Sequence, residues 1–185
     1  LQAMSVLRED EVDEDLVPEG VRSSFRDYMG LIYEKAYFDY TEIINLAVQF
    51  LEGDDDEAAA VRGHICDDIR YVVVDEYQDV NPLQERLVRG LTQFGANLCV
   101  VGDDDQTIYQ WRGSEVSNII TFADRYQGVR KVTLAENFRS SKGVVEVGRS
   151  IAERIPPPNR LPKAMVRAGH QSWARGDLIA RDFAD

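Results

Sequence analysis

The sequence predicts an α/β fold, a parallel sheet flanked by helices, and three observations carry that prediction. Val72, Val73 and Val74 form a short β-branched run that reads as a strand apolar on both faces, the pattern of a parallel sheet covered by helices. A second apolar run, residues 97–101, follows after one segment of helical length. Both runs end in polar groups, Asp75-Glu76 in the first and Gly102-Asp103-Asp104-Asp105-Gln106 in the second. Ligands of open α/β sheets bind at the carboxyl ends of the strands, so these acids fall where chemistry is expected.

The elements follow in chain order. Residues 1–20 are acidic and poorly patterned, expected to be a frayed end or the exit of an inserted domain. Residues 21–37 and 41–51 have helical spacing, the second with Ile43, Ile44, Ala47, Val48 and Leu51 on one face. An acidic turn at 53–56 precedes a helix over 58–69 that leads into the valine strand. Asn81-Pro82 is an N-cap followed by proline at the first helical position, and Gln84 is placed to close a capping box ahead of Leu83, Leu87, Val88 and Leu91. A third strand is predicted over 130–135, ending in Glu136-Asn137-Phe138-Arg139-Ser140. Ser140 or Ser141 can then cap a helix carrying Val144, Val147, Ile151 and Ile155. Pro156-Pro157-Pro158 breaks that helix, and 178–183 could be a further strand.

Composition bounds the function. The chain has 185 residues with 44% apolar content, enough for one substantial core, and no apolar run long enough to span a bilayer. Its start, Leu1-Gln2-Ala3-Met4, is neither basic nor apolar enough for a signal peptide, so a cytoplasmic location is expected. Cys66 and Cys99 are expected as reduced thiols, and His64 and His170 have no partners at metal-ligand spacing. The net charge of −12 argues against bulk attraction to nucleic acid, yet residues 128–175 carry ten basic against three acidic side chains. Screening over roughly 8 to 10 Å lets such a basic region act locally.

An adjacent Asp-Glu pair at a strand end can divide two tasks, one holding hydrated Mg²⁺ and the other orienting a water, although an isolated pair can equally well just terminate a strand. The wider pattern is more specific. The segments VVVDEYQDVNPLQ, VVGDDDQTIYQWRGS and LAENFRSS, in this order and spacing, resemble motifs II, III and IV of the UvrD/Rep/PcrA-type superfamily 1 DNA helicases. The resemblance covers residues 38–162 and includes Phe38-Asp39-Tyr40, similar to an element that precedes motif II in that family.

The resemblance implies a RecA-like sheet of the P-loop NTPase type. Residues 21–155 would be part of the first motor domain and 156–185 a linker and the start of the second. It implies ATP and Mg²⁺ as cofactors, single-stranded DNA and duplex junctions as partners, and movement in the 3′ to 5′ direction. By resemblance Asp75 and Glu76 hold Mg²⁺, Glu76 also serving as the base or water-orienting group, and Gln78 couples this strand end to the next motif. Gln106 would sense the γ-phosphate, since an amide both donates and accepts hydrogen bonds. Phe138 would lie against the adenine, and Arg139 would be the arginine finger. An ordinary strand-to-helix turn with an exposed arginine is the other reading of Asn137-Phe138-Arg139.

Tyr109, Trp111 and Arg112 carry the DNA-binding expectation. Two large rings in a polar, glycine-containing segment can stack on unpaired bases, or they can plug a core. The resemblance favours stacking. No G-x-x-x-x-G-K-[ST] occurs in the sequence, so the loop that cradles phosphates is expected elsewhere in a larger helicase, and the isolated chain is expected to be inactive. The alternative is a helicase-derived module that binds DNA or protein without catalysis.

Overall fold

The computed structural model describes all residues except 1, 11, 108–116, 158, 171, 173–177 and 180–185. It divides into two compact units, Leu1–Ile119 and Ile120–Asp185, each taken by itself below.

In the first unit, helices α1 (Gln2–Glu9), α2 (Glu19–Glu34), α3 (Tyr40–Glu52) and α4 (Asp56–Asp68) precede strand β1 (Tyr71–Val74). Helix α5 (Pro82–Thr92) then leads to β2 (Asn97–Val100). The strands pair in parallel, Tyr71 opposite Asn97 and Val74 opposite Val100, and α5 supplies the crossover that parallel pairing requires. The expected capping box is present: Gln84 N–H donates to the Asn81 side chain at 2.8 Å, and Asn81 N–H donates to Gln84 Oε1 at 3.1 Å. Asp39 caps α3 and Asp55 caps α4 in the same manner, each side chain accepting from the backbone three residues on.

The core lies between α3 and α5, where Val48, Leu51, Leu83 and Val88 are buried. At Gly90 an added Cβ would meet Leu51 Cδ1 at 2.8 Å, so glycine there lets the two helices approach. Residues 1–20 are not poorly structured as expected. They contain α1 and a 3-10 turn, Glu14–Leu16, and Arg8 of α1 is ion-paired with Asp39 and Glu42.

The valine strand departs from its expected burial. Val72 and Val74 are half-buried, but Tyr71 and Val73 remain 76% and 70% exposed. Only alternate residues turn toward the helices, so one face of the two-stranded sheet stays open.

The second unit also differs from expectation. Residues 130–135 form no strand, and Val132 and Leu134 stay 68% and 85% exposed. The strand is β3, Glu136–Asn137, which pairs in parallel with β4, Val166–Arg167. Helix α8 (Lys142–Ala152) lies between them in sequence, after two short helices α6 (Ser117–Ile120) and α7 (Phe122–Arg125). The stretch after Pro156, expected to be a linker, therefore returns to complete the sheet begun before α8. Ser141 stands at the N-cap of α8, but its hydroxyl makes no capping bond. Asn137 instead accepts from the N–H groups of Arg139 at 3.0 Å and Ser140 at 2.8 Å. Of the predicted strand 178–183, Leu178 and Ile179 are non-regular and the rest lies outside the described residues. Among the described residues no helix is long and apolar enough to cross a membrane. Cys66 and Cys99 are free thiols.

Candidate nucleotide and nucleic-acid site

Strand β1 delivers its acids into solvent: Asp75 and Glu76 are both exposed, and Asp75 Oδ1 accepts the N–H of Glu76 at 2.9 Å. Glu76 adopts the left-handed conformation, φ 51° and ψ 41°. For a residue with a Cβ this costs on the order of 1 to 3 kcal/mol and persists only where neighbours over-determine it. Here they do. Tyr77 is fully buried, its N–H donates to Val101 O at 3.0 Å, and its hydroxyl donates to the buried carboxylate of Glu85 on α5.

Gln78 joins the two strand ends. Its side chain is 1% exposed; Nε2 donates to Glu76 Oε2 at 2.6 Å, and Oε1 accepts the N–H of Asp103 at 3.0 Å. Each end of one amide is thus used, which orients the Glu76 carboxylate from the neighbouring strand. Gly102 makes room for this, since a Cβ there would stand 2.7 Å from Gln78 Oε1.

At the end of β2, Asp103 organises a 3-10 turn, Asp104–Gln106. Its Oδ1 accepts from Asp105 N–H at 3.2 Å and its Oδ2 from Gln106 Nε2 at 2.9 Å. Gln106 is exposed, with its amide tied back to this turn. Asp79 closes the first turn, with one carboxylate oxygen shielded and lacking a hydrogen bond. Burial, and then the negative charge of Glu76, push its carboxyl above the usual aspartate range.

The first unit therefore brings Asp75, Glu76, Gln78 and Gln106 to one edge of the β1–β2 sheet. Phe138 and Arg139 belong to the second unit, at the end of β3. Phe138 is 66% exposed, and its ring stands 6.3 Å from that of His170 at 27° between planes. Arg139 is exposed, its backbone fixed by Asn137. Tyr109, Trp111 and Arg112 lie outside the described residues.

The site also uses residues that sequence reasoning passed over. Asp103 and Gly102 carried a signal, the first polar positions after an apolar strand. Tyr77 and Glu85 carried none beyond their eight-residue separation across a turn into a helix.

Among the described residues no group of three or more His, Cys, Asp or Glu side chains is arranged to hold a metal. The oxygens of Asp75 and Glu76 still fit Mg²⁺, which keeps several waters and takes one or two carboxylates together with substrate phosphates.

A family model described as the UvrD/REP helicase N-terminal domain matches residues 4–127. The chain is 31% identical over 161 residues to the ATP-dependent DNA helicase PcrA of Bacillus subtilis (strain 168), covering 85% of this chain and 21% of the relative. It is 33% identical over 140 residues to the protein of the same name from Staphylococcus aureus (strain Mu50 / ATCC 700699), covering 74% of this chain and 19% of the relative. The chain thus spans about a fifth of the length of the curated relatives it matches.

Proposed function

Since the chain belongs to the UvrD/REP helicase N-terminal domain family, we propose that it is part of an ATP-dependent DNA helicase that moves 3′ to 5′ on single-stranded DNA. In this reading residues 21–155 are part of a RecA-like first motor domain. The observation that carries it is the Gln78 bridge, a buried amide that fixes the Glu76 carboxylate to the backbone of the adjacent strand end. A pair of acids that merely ended a strand would need no such support.

The residues divide the chemistry. Glu76, presented in solvent and aimed by Gln78, accepts the proton of the attacking water. Asp75, with Glu76 beside it, would hold the cation, and Mg-ATP when bound supplies the γ-phosphoryl group and the charge neutralisation its transfer needs. Gln106 hydrogen-bonds the γ-phosphate from the second strand end, where Asp103 orients its amide. Arg139 stabilises charge developing on phosphate oxygens, and the exposed ring of Phe138 offers a stacking face to adenine. Tyr109 and Trp111, with Arg112, stack on and attract single-stranded DNA.

Glu76→Gln in the full-length protein tests the assignment. Turnover should fall by about 10² to 10⁴, the usual range for losing general acid-base help, with nucleotide affinity nearly unchanged. Near-normal turnover would remove Glu76 from the chemistry.

A further inference from the structure

The segment 108–116, which carries the two rings, runs between two short stretches that both attach to the turn beginning at Glu76. On the upstream side, Asp103 N–H donates to Gln78. On the downstream side, Asn118 Nδ2 donates to the backbone carbonyl of Val80 at 2.9 Å. Ile119, the next residue, packs beside Gly102: a Cβ on that glycine would lie 2.7 Å from Ile119 Cδ1. Chain entering and leaving the ring-bearing segment is therefore fastened to the two ends of a single five-residue turn.

That turn can respond. Its first residue, Glu76, is the one held in the left-handed region, and its last, Val80, donates only a long 3.3 Å bond back to Tyr77 O. A displacement of Asn118 acts on the Val80 carbonyl directly, and one 3-10 turn separates that carbonyl from the Glu76 backbone. Residues held in sparsely populated backbone regions suit such a role because a second, unstrained arrangement lies nearby.

We propose that Asn118 is a positioning residue that couples occupancy of the ring-bearing segment by single-stranded DNA to the placement of Glu76. This rests on the helicase reading above and deepens it. Asn118 itself need not touch DNA or nucleotide.

The test uses the full-length protein, with a thymidine homopolymer as the single-stranded DNA. The quantity read is the stimulation factor, the ATP hydrolysis rate at saturating DNA divided by the rate without it. Asn118→Ala and the isosteric Asn118→Asp, which cannot donate to Val80 O, should each lower that factor by about tenfold, within the range typical of site-to-site coupling. Affinity for the DNA should stay within about twofold, since no stacking partner is removed. An unchanged factor in folded variants overturns the proposal. So does a loss of stimulation that tracks a loss of DNA affinity, which would make Asn118 a DNA contact.

Hydrogen exchange on the unmutated protein gives a second reading. DNA added without nucleotide should alter protection of the Tyr77, Asp79 and Val80 amides, which bond to Val101, Glu76 and Tyr77. Unaltered protection with DNA bound counts against the coupling. An unmutated protein with no stimulation at all would instead remove the helicase reading on which the inference stands.

Discussion

Asp79 carries the clearest cost at the level of single residues. One of its carboxylate oxygens is shielded without a hydrogen bond, and burial followed by the charge of Glu76 raises its carboxyl above the ordinary aspartate value. A group whose folded pKa is raised binds its proton more tightly when folded, so its stabilising contribution is full below the unfolded pKa and is lost as pH rises through the folded one. At neutral pH the charged Asp79 therefore opposes folding. Asp79→Asn should melt at a higher temperature than the unmutated chain at pH 7. The gain should shrink as pH falls toward the ordinary aspartate value of about 4, where Asp79 is neutral in both states. A variant less stable at pH 7 would mean that the charged form has a compensating partner. Glu76 shows the complementary situation, backbone strain held in place by Tyr77 and Gln78, whose side chains are buried on either side of the two strand ends.

Among the elements, α1 shows how much of the fold depends on contacts distant in sequence. Arg8 donates to Asp39 at 2.8 and 3.1 Å and to Glu42, while Tyr28 and Tyr33 donate their hydroxyls to the same two carboxylates. Glu9 accepts from Thr41 at 2.6 Å and from Asn81 at 3.1 Å, so α1 reaches the N-terminal ends of both α3 and α5. Glu42 is only 1% exposed, and Arg8 is its charge partner. Arg8→Ala should lower folding stability by about 3 to 5 kcal/mol, because removing one partner leaves a buried charge uncompensated. Burial raises the Asp39 carboxyl, but hydrogen bonds from Tyr28, the Glu42 backbone and Arg8, with the charge of Arg8, outweigh it and hold the group below the ordinary value. A depressed pKa contributes stability above the unfolded value and loses it as pH falls through the folded one. The difference between Arg8→Ala and the unmutated chain in urea midpoint should therefore narrow below about pH 4. A constant difference would place the effect in packing alone. The sequence made α5 legible because its signals, Asn81, Pro82 and Gln84, are adjacent. It left α1 illegible because the partners of Arg8 are 31 and 34 residues away, a separation that no periodicity encodes.

For the whole molecule the same contrast holds between site chemistry and site assembly. The polar strand ends could be read in the sequence because apolar runs stop there, and the structure brings Glu76, Gln78 and Gln106 to one sheet edge as expected. The sheet partners could not be read: β3 and β4 are two residues each, too short for any alternation, and Val132 and Leu134 look like a strand but have no strand beside them. The last prediction concerns residues 1–185 on their own. Phosphoryl transfer depends on positioning and on cations that neutralise developing charge. This chain has net charge −12, exposed carboxylates at Asp75 and Glu76, and no G-x-x-x-x-G-K-[ST] to place a lysine and backbone N–H groups against phosphates. ATP alone would meet repulsion at this edge, and Mg²⁺ would have to be held without a phosphate cradle. The purified 185-residue chain should therefore bind ATP weakly and show no hydrolysis that rises with added single-stranded DNA, measured by phosphate release with and without a thymidine homopolymer. DNA-stimulated release that disappears with Glu76→Gln would show that another segment of these 185 residues supplies the phosphate-binding group, and the search for it would begin with the ten basic side chains of residues 128–175.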